Sequence, residues 1–148
     1  MKLLAALDLA GTTPAVLREA RIWAQRLSAT LYLVHVAEPD PDFIGYEPGP
    51  ETVRDAIARK FHREHQQLEA YARDLREAGV DATALLVQGA TAETLLREAD
   101  RLGVAALLMG TRAPGALREL FVGSTSKGVL HSSTRPVLLV PPRDAPTA

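Results

Sequence analysis

Small and hydroxyl-bearing residues lie between two apolar segments near the end of the chain. Gly110 ends an apolar run at residues 107–109, Arg112 follows, and Gly123-Ser124-Thr125-Ser126 stands where a helical segment begins. The first N–H groups of a helix lack intrahelical partners, and the helix dipole there favours anions. Glycine lets an anion approach the backbone, and arginine adds a fixed positive charge. This stretch is therefore predicted to bind phosphate, although a tight loop before an ordinary capped helix would use the same residues.

The remaining reactive side chains do not form a catalytic set. His62 and His65 lie three residues apart on a predicted long helix, a spacing that can hold a metal, but no third ligand is evident. They are interpreted as a solvated pair, and His35, on a predicted strand, as a core or rim histidine. Ser124 has no histidine and aspartate arranged as partners for a nucleophile. The sequence predicts no catalytic residues and no metal site.

Composition and absent motifs narrow the functional classes. With 17 basic and 18 acidic residues among 148, the net charge of −1 gives no general attraction to nucleic acid or anionic membranes. The lack of cysteine excludes disulfides, thiolate metal sites and cysteine nucleophiles. No G-x-G-x-x-G follows the first strand and no G-x4-G-K-[ST] is present, which argues against dinucleotide oxidoreductases and P-loop NTPases. No apolar run reaches membrane-spanning length, and Asp8 interrupts the apolar start, so a soluble cytoplasmic protein is expected.

Strand and helix patterns alternate along the whole chain. Strands are predicted at residues 3–7, 31–36, 82–87, 105–109 and 137–140, and helices begin near residues 13, 51, 91 and 124. Residues 38–50, rich in proline and glycine, are predicted to be a loop that serves as a lid or a partner surface. The alternation predicts an α/β fold, a single doubly wound parallel sheet with helices on both faces. It would form one domain of residues 1–142, followed by a flexible tail at 143–148.

Local signals refine the helices. Thr13 and Thr91 suit the N-cap positions of the first and third helices. Trp23 and Leu27 belong to the apolar stripe predicted for the first helix, together with Val16, Ala20 and Ala24.

The end of the first strand is the natural place for a ligand contact. In open α/β sheets ligands bind beyond the carboxyl ends of strands, where the strand order reverses. If the first and fourth strands are neighbours, this position lies between Asp8 and Gly110. Asp8 is interpreted either as a loop-capping aspartate or as a polar contact to the base of a nucleotide.

The spacing of these residues resembles a known family signature. Gly110, two residues, Ala113, nine residues and Gly123-Ser124 resemble the Gly-x2-Gly-x9-Gly-Ser/Thr signature of the universal stress protein family, and the likeness covers nearly the whole chain. It departs at Ala113, where nucleotide-binding members have glycine. The resemblance implies a Rossmann-like five-stranded sheet of order 3-2-1-4-5.

The resemblance also implies a site for ATP, with Mg²⁺ carried by the phosphates, or for AMP or a cyclic nucleotide. Asp8 and the apolar Val36 match contacts to adenine, whereas the residues from Gly110 onward match contacts to ribose and phosphates. The implied nucleotide-binding set is Leu7, Asp8, Val36, Met109, Gly110, Arg112, Ala113, Gly123, Ser124, Thr125 and Ser126.

Ala113 leaves the strength of nucleotide binding open. If the loop needs positive φ there, alanine costs about 1 kcal/mol, and its methyl group would also hold the phosphates off the backbone. A loss of about 1.4 kcal/mol is tenfold in affinity, so weakened binding is expected rather than abolished binding. Pro114 restricts Ala113 to extended backbone, which argues that positive φ is not required.

The last strand offers an edge for pairing. Val137, Leu138, Leu139 and Val140 would present an unpaired ladder, and two copies can join such edges across a two-fold axis. The resemblance implies the same homodimer, whereas Pro141 and Pro142 could instead blunt the edge.

The sequence therefore predicts a homodimeric stress-response sensor or regulator that binds an adenine nucleotide. The alternatives are a nucleotide-independent dimeric interaction protein of the same fold and a slow ATP hydrolase, for which no base is identifiable.

Overall fold

The computed structural model describes residues 1–38, 51–111 and 123–142, with backbone only at 51–53. Strands and helices alternate as predicted. The strands are β1 (Lys2–Ala6), β2 (Thr30–Ala37), β3 (Ala82–Gln88), β4 (Ala106–Gly110) and β5 (Val137–Val140). The helices are α1 (Thr13–Leu27), α2 (Glu51–Glu77), α3 (Thr91–Leu102) and α4 (Ser124–Ser132).

The five strands form one parallel sheet in the order β3-β2-β1-β4-β5. The central strand β1 pairs with β2 on one side, where Leu4 lies opposite Tyr32, and with β4 on the other, where Leu4 lies opposite Leu107. This confirms the predicted fold class and strand order. The strand order reverses between β1 and β4. The chain therefore leaves the carboxyl ends of these two strands toward opposite faces of the sheet, and a crevice remains between the two connections.

Side-chain alternation along the strands divides the core into two layers. On one face Leu3, Leu31 and Leu33 pack with buried residues of α1 and α2, including Val16 and Leu68. On the other face Leu4, Val34 and Leu107 pack with Leu95 of α3 and Val129 of α4. Because both faces are covered, the strands read as nearly continuous apolar runs.

Two predictions about helix starts are wrong. The N-cap of α1 is Thr12, not Thr13, and the N-cap of α3 is Ala90, not Thr91. Thr13 is the first residue of α1 and is buried, because its hydroxyl donates to Asp8 rather than to its own helix. The Thr91 hydroxyl likewise donates to Glu38 after β2.

The apolar stripe predicted for α1 is wider than the face that the sheet covers. Val16, Ala20 and Ala24 are buried, whereas Trp23 and Leu27 are 43% and 41% exposed. A helix that lies on a sheet buries only the residues nearest the contact line, and these two project from its flank. Residues 39–50 of the predicted loop at 38–50, and the predicted tail at 143–148, lie outside the described residues.

Candidate nucleotide-binding site

A crevice of about 480 Å³ opens at the carboxyl edge of the sheet, where β1 and β4 end. This volume is within the usual range for small-molecule sites. It brings together nine predicted site residues, namely Leu7, Asp8, Val36, Met109, Gly110, Gly123, Ser124, Thr125 and Ser126. The other two, Arg112 and Ala113, lie outside the described residues.

Asp8 is held rigidly at the end of β1. Its Oδ1 accepts hydrogen bonds from the backbone N–H of Ala10 at 2.9 Å and from the Thr13 hydroxyl at 2.8 Å. Leu9, between Asp8 and Ala10, has a φ of 55°, in the left-handed region. The chain therefore turns sharply immediately after Asp8. Asp8 therefore caps its own loop, the first of the two interpretations from sequence, while its side chain also lines the crevice.

Gly110 is required by packing at the end of β4. A Cβ at this position would lie 2.5 Å from the Cβ and 2.6 Å from the hydroxyl oxygen of Thr12. Both distances are far below normal contact, so no side chain fits unless Thr12 moves. The glycine that opens the signature thus lets the loop after β1 pack directly against β4.

Gly123, by contrast, has open space beside it. It is the N-cap of α4 with φ −58° and ψ 162°, a backbone that any residue can adopt, and a Cβ there would meet nothing within 4 Å. Since Gly123 and the first turn of α4 line the crevice, this open space is available to a ligand. A glycine here keeps the helix start accessible rather than relieving strain.

The hydroxyls at the start of α4 do not cap the helix, so the alternative of an ordinary capped helix, considered from sequence, does not hold. The N-cap is a glycine, and no side chain caps the first turn. Ser126 is buried, and its hydroxyl donates to the Gly110 carbonyl over a long distance of 3.4 Å. That contact fixes the start of α4 against the end of β4 and leaves the first-turn N–H groups to an anion.

The backbone at Val36 faces the space beyond β1. Alternate residues of β2 hydrogen-bond to this side, since the N–H of Thr30 donates to Met1 and the carbonyl of Val34 accepts from Leu7. By the same alternation Val36 directs its N–H and carbonyl to the β1 side. In the described part of the chain, the last β1–β2 backbone hydrogen bond is the one that Val34 accepts, so the Val36 backbone is directed at the crevice.

Sequence reasoning missed the wall that α2 contributes. Lys60 and Glu64 of α2 line the crevice, as do His35 at the end of β2 and Glu38 after it. A weak signal was present in the sequence. Glu64 is three residues after Phe61 and four before Leu68, so an acidic side chain interrupts the apolar stripe of α2.

No cluster of metal-ligating side chains lies in the described part of the chain. His62 and His65 are both exposed on α2, and no group of three or more histidine, aspartate or glutamate side chains is clustered in the described ranges. Outside the crevice, on α3, Arg101 donates a hydrogen bond to Glu98. This hydrogen bond and the negative charge of Glu98 raise the pKa of Arg101. None of the described helices is both long and apolar enough to cross a membrane.

Comparison with known proteins agrees with this architecture. A universal stress protein of Thermus aquaticus is 40% identical over 122 residues, which cover 82% of this chain and 84% of the relative. The solved structure of the protein MJ0577 of Methanocaldococcus jannaschii has a TM-score of 0.77 at 22% identity and covers 97% of both chains. The universal stress protein of Archaeoglobus fulgidus, solved in complex with dAMP, has a TM-score of 0.65 at 20% identity, with 95% of this chain and 97% of that chain covered.

The family model extends this agreement to almost every residue. The universal stress protein family model matches residues 1–141, which include all five strands and both sides of the crevice. With the strand order, the signature residues around the crevice and a 40% identical relative, the chain belongs to the universal stress protein family.

Proposed function

We propose that the protein binds an adenine nucleotide, ATP or a close relative, in the crevice between β1 and β4, and that binding serves as a signal in a stress response. The observation that supports this most is the convergence of two features on one crevice. Asp8 and Val36 lie on one side, and the start of α4 lies on the other. A relative of the same fold was solved with dAMP, which supports a nucleotide as the ligand.

The base would lie against the end of β2. The backbone N–H and carbonyl of Val36 provide one donor and one acceptor side by side. The edge of adenine that carries its amino group presents one donor beside one acceptor, so the two edges are complementary. The apolar side chains of Leu7, Val36 and Met109 are buried around this end of the crevice and would cover the ring faces.

The phosphates would lie at the start of α4. Gly123 leaves open space at the helix N-terminus, and the Ser124 and Thr125 hydroxyls line the crevice beside it. Unpaired N–H groups and the helix dipole together favour a negatively charged group at this position. Because no metal cluster lies among the described residues, any Mg²⁺ would enter with the phosphates, which can coordinate it themselves.

A paired glycine experiment tests the proposed site. Gly123→Ala adds a methyl group where the phosphates would approach, and Gly11→Ala adds the same group outside the crevice, where a Cβ also meets nothing within 4 Å. Both variants should remain within about 1 kcal/mol of wild-type stability. Calorimetric titration with ATP should show at least about tenfold weaker binding for Gly123→Ala, a loss of about 1.4 kcal/mol, and no change for Gly11→Ala.

Two results would contradict the proposal. The first is the absence of binding to wild-type protein at millimolar ATP, AMP and cyclic AMP. This result would favour a nucleotide-independent interaction protein of the same fold. The second is equal weakening by both glycine substitutions, because a general effect on the fold would then explain the loss.

We further propose that two copies join through β5. Within the described chain, β5 pairs with β4 alone and forms one edge of the sheet. The Pro136 carbonyl accepts from Leu107 of β4, and the Val140 carbonyl accepts from Thr111 just after β4. By alternation Val137 and Leu139 direct their backbone groups outward. These groups can pair with the same strand of a second copy across a two-fold axis.

A further inference from the structure

His35 is held at the carboxyl end of β2 by a backbone carbonyl. Its Nδ1 lies 2.8 Å from the carbonyl oxygen of Leu7. A carbonyl oxygen only accepts hydrogen bonds, so Nδ1 must carry a proton and donate it. In the neutral ring the other nitrogen, Nε2, then carries no proton and is an acceptor.

Glu64 of α2 faces this unprotonated nitrogen. Its Oε2 lies 3.7 Å from the Nε2 of His35, beyond hydrogen-bond distance. That oxygen is buried and has no hydrogen-bond partner in the part of the chain that the structure describes. Two acceptors therefore face each other with no hydrogen between them. Such an arrangement is unusual, because buried polar groups are nearly always hydrogen-bonded.

We propose that His35 and Glu64 act as a one-proton latch that positions the base end of the crevice, an inference that rests on the proposed nucleotide site. A proton from solvent binds the free electron pair of Nε2. The resulting imidazolium donates to the Leu7 carbonyl through Nδ1 and to the Glu64 carboxylate through Nε2. The closed latch ties α2 to the ends of β1 and β2, beside the backbone of Val36. His35 and Glu64 are positioning residues here.

The latch makes nucleotide binding depend on pH. Closing the latch takes up one proton, so nucleotide binding is expected to strengthen as pH falls. ATP affinity is therefore expected to rise by roughly three- to tenfold between pH 8 and pH 6. This factor corresponds to part of the free energy of one charge-assisted hydrogen bond contributing to binding.

Other charged groups at this end of the crevice act on the same ring. Lys60, one turn before Glu64 on α2, opposes a positive charge on His35. Asp8 after β1 and Glu38 after β2 favour it. None of these residues is changed in the test below, so differences among Glu64 variants report on the latch itself.

Two substitutions of Glu64 give opposite predictions. Glu64→Gln places an amide N–H where the carboxylate oxygen was, and this group donates to the neutral Nε2 without any added proton. This variant should bind ATP at pH 8 as tightly as wild type does at pH 6. Glu64→Ala removes the partner, so its affinity should stay at the wild-type pH 8 level. A residue with a merely structural role would weaken binding in both variants.

Glu69→Gln is the matched control for these variants. Glu69 lies on the same helix, its side chain is 45% exposed, and it pairs with Arg76 outside the crevice. The phosphates of ATP also titrate in this range, so each calorimetric profile from pH 6 to pH 8 is divided by the Glu69→Gln profile. After this correction the wild-type ratio should be about one at every pH. The Glu64→Gln ratio should be roughly three to ten at pH 8 and about one at pH 6, whereas the Glu64→Ala ratio should be about one at pH 8 and roughly one third to one tenth at pH 6. Pronounced wild-type-like pH dependence in both Glu64 variants would overturn the latch.

A measurement without nucleotide separates the latch from the proposed function. Nitrogen-15 shifts of the His35 ring at pH 6 should show both nitrogens protonated in wild type, and only Nδ1 protonated in Glu64→Gln. The latch is refuted if the ring is in the same state in both proteins. If ATP fails to bind wild type at any pH while the ring behaves as expected, the proposed function fails and the latch stands.

Discussion

Replacing Gly110 with alanine should destabilise the protein through a steric conflict with one residue, Thr12. The new Cβ would lie 2.5 Å from the Thr12 Cβ, 2.6 Å from its hydroxyl oxygen and 3.1 Å from its methyl group. The backbone fixes the position of the Thr12 Cβ, so rotation of the side chain cannot relieve the closest contact. Forced overpacking of this kind costs about 1–3 kcal/mol. For a chain of this length that lowers the melting temperature by roughly 3–10 °C.

A double-mutant cycle tests this explanation. Thr12→Gly removes all three contacting atoms, and it should cost only a few tenths of a kcal/mol, because glycine is a good N-cap residue and Thr12 makes no side-chain cap hydrogen bond. In the double variant Gly110→Ala should then cost about 1–2 kcal/mol less than it does alone. Urea unfolding at 25 °C measures all four proteins. Strict additivity of the two substitutions would refute the steric account.

Three further predictions concern the crevice and the sheet edge. Ala113→Gly should tighten ATP binding by up to about tenfold in calorimetry if the methyl obstructs the phosphates; an unchanged affinity would show that alanine is accommodated there. Thr13→Val removes a buried donor to Asp8 and should lower the unfolding free energy by about 1–2 kcal/mol in urea, whereas no loss would mean that this hydrogen bond contributes little. Val137→Pro removes an outward N–H at the sheet edge and should give a folded monomer in analytical ultracentrifugation. Leu138→Pro, its control, removes an N–H directed at β4 and should unfold the edge. If the Val137→Pro protein is still a dimer, pairing through β5 is excluded.

The fold could be predicted from sequence because its signals are local. Each buried strand is a short apolar run, and each helix has its own periodicity, so the alternation was visible without any long-range contact. The strand order was not contained in those patterns, and it was supplied by the resemblance and then confirmed. The errors in the helix starts occurred where a residue outside the helix competes with a local preference. Thr13 looks like an N-cap, but Asp8, five residues earlier, takes its hydroxyl.

The site could be predicted only in part, for a related reason. The residues from Gly110 to Ser126 carry a signature with fixed spacing, so they were identified together. His35 and Glu64 are 29 residues apart and do not belong to any motif of fixed spacing. Only the packing of α2 against the sheet brings their side chains together. Each looked ordinary alone, because a histidine at the end of an apolar strand and a glutamate on a helix are both common. Their pairing is a property of the tertiary structure.

The two described glycines of the signature have different physical roles, and this difference determines how substitutions at the signature should be interpreted. Neither has a positive φ, so neither is needed for a left-handed backbone. Thr12 leaves no room for a side chain at Gly110, whereas Gly123 borders open space in the crevice. A side chain at Gly110 should therefore reduce stability with or without nucleotide, whereas one at Gly123 should reduce affinity alone.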